Sequence, residues 1–407
     1  MQKVKPEEVG LSSSRLARID DHLRDRYIEP GKISGALTLV ARRGKVAHCS
    51  TLGHMEIEAR RRLEEDAIFR VYSMTKPITS VAVMMLYERG LFQLRDPVYK
   101  YIPAFRDQGV FRMGNYPQFL TERPARPMRI KDLLMHTSGL TYGFMHSTNV
   151  DAAYRKAGLD GARTQKSLQE MVETIASIPL EFSPGEAWNY SMATDVLGYL
   201  VEVVSGKPFE EFLREEIFQP LGMSDTGFFV PPEKQGRLPA CYERRANKKL
   251  VLQDDPETSP YLEMPQGPSG GGGLVSTASD YLRFCEMMRR GGELDGARLL
   301  SRKTIELMTR NHLPDDMDLT QMARGTFSET PYEGVGFGLG FSVNLGPGRT
   351  GAAGSAGEYA WGGAASTAFW IDPIEELIVI FMTQLLPSAT YDFRAQLRAI
   401  TYGSIID

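Results

Sequence analysis

Extended segments lie near the two ends of this 407-residue chain, and a long helical stretch separates them. Residues 33–40 and 45–52 have the alternating pattern of a β-hairpin. Three further strand-like segments occupy the last quarter of the chain, at residues 336–345, 359–371 and 376–383. This distribution predicts that both ends of the chain build one α/β (α+β) lobe.

The middle of the chain carries helical patterns and long loops, from about residue 77 to residue 230. Residues 77–265 are therefore predicted to form a mainly helical lobe, inserted into an α/β lobe made of residues 1–76 and 266–407. Residues 105–129 are rich in Phe, Tyr, Pro and Arg. We interpret them as a lid or wall over a functional site, with a plain surface loop as the open alternative.

Capping residues predict where several helices begin and end. Ser12 to Ser14 precede an amphipathic first helix, Ser167 begins a capping box, and Thr277 precedes another apolar helical stripe. Gly206 is expected to end the helix that begins near Thr194. Residues 391–400 are predicted to form a terminal helix.

Ser73 ends a short apolar run, and Lys76 follows it at the start of a long helical pattern that closes at Gly90. Residues i and i+3 lie on one side of a helix, so the Lys76 amine is predicted to lie beside the Ser73 hydroxyl. A serine becomes a good nucleophile when a nearby base accepts its proton, and a lysine can be that base only if its pKa is lowered. The alternative is a surface capping serine followed by a solvated lysine. Two motifs downstream favour the catalytic interpretation.

The second motif surrounds Tyr190 and precedes a helix that contains Asp195. A tyrosine near two ammonium-like charges can have a lowered pKa, and it can then both accept and donate a proton. The open alternative is a loop tyrosine whose hydroxyl bonds to the backbone.

The third motif is Trp361-Gly362-Gly363-Ala364, at the opening of a strand. Consecutive glycines let a substrate lie against the edge of the strand, and the N–H just after them can face the reaction centre. Gly362 and Gly363 are therefore candidates for substrate binding. The alternative is a bulge or a close packing contact.

At these three places the sequence resembles the serine β-lactamase and penicillin-binding protein superfamily, and most closely the class C-like group that includes family VIII carboxylesterases. The resemblance covers nearly the whole chain. It implies a β-lactamase-like fold, with an antiparallel sheet flanked by helices, a helical lobe, and the catalytic site between the lobes. The supporting segments are residues 73–76, 136–140, 184–191, 220–223, 270–277 and 361–363.

The resemblance also implies roles for individual residues. Ser73 would be the acylated nucleophile, and Lys76 and Tyr190 would share the work of general base and acid, an assignment that is disputed among related enzymes. The backbone N–H groups of Ser73 and Ala364 would form the oxyanion hole. No cofactor is expected. No metal is expected either, because the six histidines form no i, i+4 pair and the three cysteines lack metal-ligand spacing.

Two positions depart from the β-lactamases of this type, which carry Tyr-x-Asn and Lys-Thr-Gly. Met192 replaces the Asn, and Trp361 stands in place of the Lys. These replacements are expected to weaken binding of an anionic substrate, and an apolar Trp361 favours a neutral ester. The predicted function is hydrolysis of small, short-acyl carboxylic esters, with β-lactam hydrolysis absent or weak.

Other functions stay open within the same chemistry. The acyl group could pass to an acceptor alcohol or amine, which would make the protein an acyltransferase, or the substrate could be a linear amide. A non-catalytic binding member is disfavoured because the serine, lysine and tyrosine are all present. A peptidase acting on peptidoglycan is disfavoured by the missing leader and the missing Lys-Thr-Gly.

Ser269 is a second serine in a hydrolase-like pattern, since residues 267–271 satisfy Gly-x-Ser-x-Gly. That elbow requires an apolar strand before the serine and a helix directly after it. Here a polar, proline-containing segment precedes Ser269 and more glycine follows. The histidine such a site needs could only be His312. Ser269 is therefore predicted to be a loop residue.

The net charge of −4 gives no reason to expect nucleic acid or an anionic membrane as a partner. The longest apolar run, residues 377–382, is too short to span a bilayer. The N-terminus lacks the apolar segment of a secretory signal, so a cytoplasmic location is expected, with prior removal of a leader as the open alternative. The expected partner is a small ester substrate, and the oligomeric state is left open.

Overall fold

An eight-stranded antiparallel sheet forms the centre of the fold in the computed structural model, which describes residues 1–159, 163, 165–325 and 329–407. The strands of the chain are β1 (Gly35–Arg42), β2 (Lys45–Glu56), β3 (Arg61–Arg62), β4 (Phe69–Arg70), β5 (Val110–Asn115), β6 (Gln118–Glu122), β7 (Cys241–Arg244), β8 (Leu250–Asp254), β9 (Val275–Ser276), β10 (Glu293–Leu294), β11 (Ala297–Arg298), β12 (Val335–Phe337), β13 (Ser342–Asn344), β14 (Tyr359–Gly362), β15 (Ala368–Asp372), β16 (Leu377–Met382) and β17 (Leu385–Leu386). The large sheet has the order β12-β13-β14-β15-β16-β1-β2-β3. Strands from both ends of the chain thus lie in one sheet.

The middle of the large sheet is buried on both faces. β1 and β16 are neighbours there, and every residue of both strands is buried. Successive side chains of a strand point to opposite faces. Leu37 and Leu39 accordingly join one core cluster, whereas Ala36 and Val40 join the other. Burial on both faces explains why these strands are nearly unbroken apolar runs.

Helices cover both faces of this sheet. The helices are α1 (Ser13–Leu23), α2 (Thr75–Glu88), α3 (Ile130–Leu134), α4 (Asn149–Lys156), α5 (Leu168–Ala176), α6 (Ala193–Ser205), α7 (Phe209–Leu213), α8 (Gln219–Leu221), α9 (Ala278–Arg289), α10 (Arg302–Met308), α11 (Leu319–Met322), α12 (Pro347–Thr350) and α13 (Phe393–Tyr402). The first and last helices, α1 and α13, pack on one face, and α2 and α9 belong to the larger core on the other. Among the described helices, none has both the length and the apolar character needed to cross a membrane.

The capping predictions are confirmed. The side chains of Ser12, Ser167 and Thr277 each accept a hydrogen bond from a backbone N–H in the first turn of α1, α5 and α9. Gly206 ends α6 in the left-handed conformation, at φ 72°. The terminal helix is α13, shifted by two residues at each end from the predicted range.

Two predicted strands are each a pair of strands. Residues 336–345 form β12 and β13, joined by a turn in which Gly340 has φ 95°. Residues 359–371 form β14 and β15, and the connecting turn is closed by a hydrogen bond from the Gly363 N–H to the Thr367 carbonyl. The prediction was wrong because small residues such as Gly, Ala and Ser fit both a strand and a tight turn, so the apolar pattern runs across the turn unbroken.

The description of residues 77–230 as helix and loop is wrong in one place, because β5 and β6 form a hairpin within residues 105–129. Its Met113 and Leu120 side chains are exposed. A lid or wall role for this segment stays a prediction. The two-lobe division at residues 76/77 and 265/266, with the site between the lobes, also stays a prediction.

Candidate active site

Ser73 lies in a short 3-10 turn, Tyr72–Met74, that leads from β4 directly into α2. β4 is held by pairing with β9, so the chain enters the turn from a fixed direction. Tyr72 has φ 43°, a left-handed conformation that is unusual for an aromatic residue. Its ring packs edge-on against that of Tyr261 at 6.3 Å between centroids. This sharp turn leaves the Ser73 hydroxyl at the start of α2, next to Lys76.

Lys76 is buried, and its amine has three close neighbours. The Nζ atom lies 3.2 Å from Ser73 Oγ, 2.9 Å from the Tyr142 hydroxyl and 2.6 Å from the Gly271 carbonyl oxygen. Burial lowers the pKa of Lys76 to about 8, against the opposing influence of the Asp195 and Glu329 carboxylates. A lysine can act as a base only if its pKa is lowered, and here desolvation lowers it.

These three contacts match the hydrogen-bonding capacity of a neutral amine, which has two N–H groups and one lone pair. The Gly271 carbonyl can only accept, so it takes one N–H, and the Tyr142 oxygen can take the second. The lone pair is then available to the Ser73 hydroxyl proton. In its neutral form Lys76 is therefore oriented as a base toward Ser73.

The Tyr190 hydroxyl donates to Ser73 Oγ at 2.6 Å. Burial raises the pKa of Tyr190 well above its ordinary value, and the Glu329 carboxylate raises it further. The expectation that two cations lower this pKa is wrong. Lys76 lies 4.6 Å from the centre of the Tyr190 ring, but the position where related enzymes would supply a lysine holds Trp361. Tyr190 is therefore a neutral phenol whose hydroxyl donates a hydrogen bond to Ser73 Oγ.

The segment from Trp361 to Ala364 runs from the end of β14 into the turn before β15. Trp361 is buried, with its ring 5.6 Å from that of Tyr190 and 5.4 Å from that of Phe337. A side chain at Gly363 would overlap the carbonyl of Val71, which lies two residues before Ser73. The close packing contact considered for the two glycines is therefore present, and it brings this segment against the Ser73 turn.

Ala364 has a backbone N–H that is free for a ligand within the described chain. The neighbouring turn bonds run from the Gly363 N–H to the Thr367 carbonyl and from the Ser366 N–H to the Gly363 carbonyl, and neither uses Ala364. Met192 lies at the N-terminus of α6 and is buried, so the position of the missing Asn carries an apolar side chain.

Ser269 is a loop residue, as predicted. Its hydroxyl donates to Asp195 Oδ1 and accepts from the Gly272 N–H at 3.1 Å. His312 is engaged elsewhere, with Nε2 2.7 Å from the Leu307 carbonyl oxygen. His136 is buried, with Nδ1 3.1 Å from Ser191 Oγ.

Sequence reasoning missed three residues at this site. Tyr142 contacts Lys76. It lies two residues beyond the 136–140 segment that supports the family resemblance, so its position could have indicated a place at the site. Asp195 was noted only as a helix residue, yet it accepts from the Gly271 N–H at 3.1 Å and so holds the loop whose carbonyl binds Lys76. Glu329 acts on Lys76 from a segment that carries no motif, and nothing in its sequence neighbourhood indicated it.

No group of three or more His, Cys, Asp or Glu side chains in the described part of the chain could hold a metal ion. The arrangement can support chemistry through side chains and a backbone N–H. It brings together a serine hydroxyl, a buried amine, a phenol that donates to the serine and a free N–H on the adjoining turn.

Comparison with known proteins gives matches along almost the entire chain. The family model named Beta-lactamase matches residues 21–402. Protein Rv1367c of Mycobacterium tuberculosis is 34% identical over 371 residues, covering 90% of each chain. Esterase EstB of Burkholderia gladioli is 30% identical over 402 residues, covering 93% of each chain. The solved structure of EstCE1, a hydrolase with promiscuous acyltransferase activity, has a TM-score of 0.80 at 26% identity, covering 96% of this chain and 98% of its own.

Proposed function

The chain belongs to the beta-lactamase family and is a serine hydrolase, and we propose that it hydrolyses small carboxylic esters through a covalent acyl-enzyme on Ser73. One observation carries this proposal: Ser73 Oγ contacts both Lys76 Nζ, at 3.2 Å, and the Tyr190 hydroxyl, at 2.6 Å. Two proton-handling groups at the nucleophile let a proton leave the serine and another reach the departing alcohol.

Lys76 is the general base in this proposal. Ser73 Oγ attacks the ester carbonyl carbon, and a C–O bond forms while the hydroxyl proton moves to the Lys76 lone pair. The assignment follows from the two pKa directions, because burial favours the neutral amine of Lys76 and disfavours the phenolate of Tyr190. A base must be deprotonated at working pH, and of these two groups only Lys76 is close to that condition.

The negative charge that develops on the carbonyl oxygen is proposed to be held by the N–H groups of Ser73 and Ala364. The contact of Gly363 with Val71 supports this pairing, because it fixes the Ala364 turn against the Ser73 turn. The loss of one such donor typically costs about 3–4 kcal/mol of barrier.

Tyr190 is the proton donor to the leaving alcohol. As the ester C–O bond breaks, the phenol gives its proton to the alkoxide oxygen, and the proton that Lys76 took from Ser73 replaces it. Water then attacks the acyl carbonyl carbon and loses a proton to Lys76. The bond between the acyl carbon and Ser73 Oγ breaks, and Tyr190 gives a proton to that oxygen, which the Lys76 proton then replaces. The carboxylic acid departs and Ser73 recovers its hydroxyl.

An uncharged ester is the proposed substrate because two positions that would hold an anionic substrate carry apolar side chains. Trp361 and Met192 are both buried, and neither carries a positive charge that could form an ion pair with a carboxylate. The likeness to an esterase at 30% identity over almost the whole chain supports the same substrate class.

The test compares p-nitrophenyl acetate with a chromogenic cephalosporin, each measured with the wild type and with Ser73→Ala. We expect a larger kcat/KM for the ester, and loss of both activities in the variant. A larger kcat/KM for the cephalosporin would contradict the ester proposal and leave the serine hydrolase assignment intact.

Acyl transfer is the second candidate activity, and the described acyltransferase activity of EstCE1 favours it. Water and an alcohol would compete for the same acyl-enzyme on Ser73. Product analysis with added short alcohols distinguishes the two outcomes, because a transferase yields a new ester whereas a strict hydrolase yields only the acid.

A further inference from the structure

The terminal helix α13 carries two arginines, one turn apart, that form different ion pairs. Arg394 Nη2 lies 2.8 Å from Glu329 Oε2, and a second nitrogen of Arg394 donates to the Glu329 backbone carbonyl. Arg398 pairs with Glu358 and lies over the Trp370 ring at 5.0 Å. Both carboxylates are buried. The two pairs therefore have similar chemistry and differ in what surrounds them.

Arg394 contacts both ends of the turn that carries Ala364. At one end, its Nη2 donates to the Thr367 carbonyl at 3.2 Å, and this carbonyl also accepts the Gly363 N–H that closes the turn. At the other end, the guanidinium fills the space where a side chain at Gly362 would be. Gly362 is thus required for the close approach of Arg394, and the turn packs against this guanidinium.

Glu329 also connects this ion pair to the titratable side chains around Ser73. Its carboxylate acts on the pKa values of Lys76, Tyr142 and Tyr190. Within the described residues, Glu329 Oε1 has no hydrogen-bond partner, so Arg394 supplies the side-chain contact made by this buried carboxylate. A buried carboxylate without a cation would be strongly disfavoured.

We propose that Arg394 is a positioning residue of the active site, which holds the Ala364 turn in place and balances the buried charge of Glu329 that acts on Lys76. This inference rests on the proposed function. Lys76 must be neutral to accept the Ser73 proton. A Glu329 carboxylate without its arginine partner would favour the ammonium form of Lys76, which cannot accept a proton at moderate pH.

Other titratable and charged groups surround both residues. Lys76 faces Tyr142, His136, Tyr190 and Asp195 in addition to Glu329. A cavity of about 310 Å³ lies beside the Glu329–Arg394 pair, and its lining also includes Glu333, Asp392 and Arg398. Among these groups, Asp195 and Glu329 are the carboxylates that act on Lys76. Asp195 is unchanged in all the variants below.

The experiment measures the rate of Ser73 labelling by a p-nitrophenyl phosphonate, and kcat/KM for p-nitrophenyl acetate, as functions of pH. Glu329→Gln removes a negative charge that favours the Lys76 ammonium, so the acid limb should move to lower pH by about 0.5 unit or more. Arg394→Gln removes the cation paired with Glu329, so its limb should also move away from that of the wild type. It should also lower the plateau, roughly tenfold, because the Ala364 turn loses its support. The double variant should return the limb toward that of the wild type.

Glu358→Gln is the matched control, since it removes a buried carboxylate from the neighbouring ion pair of the same helix. It should lower stability and leave the pH limb where it is in the wild type. The inference is overturned if the limb of Glu329→Gln does not move, or if Glu358→Gln moves it equally. A wild type that is never labelled would instead contradict the proposed function, and the inference with it.

Discussion

Ser73 and Ser269 are both buried serines in hydrolase-like motifs, and each has a titratable neighbour. Ser73 Oγ lies between a phenol that donates to it and an amine whose pKa burial lowers to about 8. Ser269 Oγ accepts from the Gly272 N–H and donates to the Asp195 carboxylate, a weak base. The basicity of the neighbouring group and the surrounding backbone therefore determine what a buried serine does. Ser269 holds the loop whose Gly271 carbonyl contacts Lys76, whereas Ser73 is the proposed nucleophile.

Loss of the proposed nucleophile should have the strongest effect on activity. Ser73→Ala should lower kcat/KM by ~10⁴-fold or more and abolish covalent labelling by a serine-reactive phosphonate, measured by intact-protein mass. Ser269→Ala is the control and should still gain one adduct. Labelling that persists in folded Ser73→Ala and disappears in Ser269→Ala would reverse the two assignments.

The next effect concerns the base. Lys76→Met should reduce the acylation rate by roughly 10²–10⁴-fold, because no other neutral amine contacts Ser73 in the described site. In the wild type, activity should rise with pH through the Lys76 pKa of about 8, since protonation below it removes the lone pair. A pH profile that stays flat across this range would exclude Lys76 as the base.

A smaller effect separates Tyr190 from Lys76. Tyr190→Phe should slow the hydrolysis of alkyl esters by about 10²-fold or more, because their alkoxide leaving groups need a proton. p-Nitrophenyl esters should be affected less, since p-nitrophenolate departs unprotonated. Equal losses for both ester classes, measured as acylation rates, would mean that Tyr190 serves the nucleophile rather than the leaving group.

The smallest effect concerns the second serine. Ser269→Ala removes one donor from the buried Asp195 carboxylate, which should cost about 1–2 kcal/mol of stability and lower kcat/KM only a few-fold. Thermal melts and ester kinetics of the folded variant provide the measurement. A loss in rate as large as that of Ser73→Ala would show that the Gly271 loop is far more critical than its contacts indicate.

The sequence predicted the parts of the fold and site that depend on local pattern. The family resemblance and the β-lactamase-like fold class are confirmed, as are the N-terminal hairpin and the capped helices. Ser73 and Lys76 were found because a spacing of three along a helix places two side chains together whatever the remainder of the chain does. Their catalytic roles, and that of Tyr190, stay proposals that the geometry supports.

The electrostatics of the site depend on the tertiary structure. The sequence suggested a lowered pKa for Tyr190, but burial and Glu329 raise it. Tyr142, Gly271 and Arg394 meet the site from three separate segments, and no local pattern encodes such a meeting. A motif specifies which groups are available, because residue type and short spacing are local properties. The desolvation that lowers the pKa of Lys76, and the charges that oppose it, depend on everything packed around the amine. Folding alone brings those groups together.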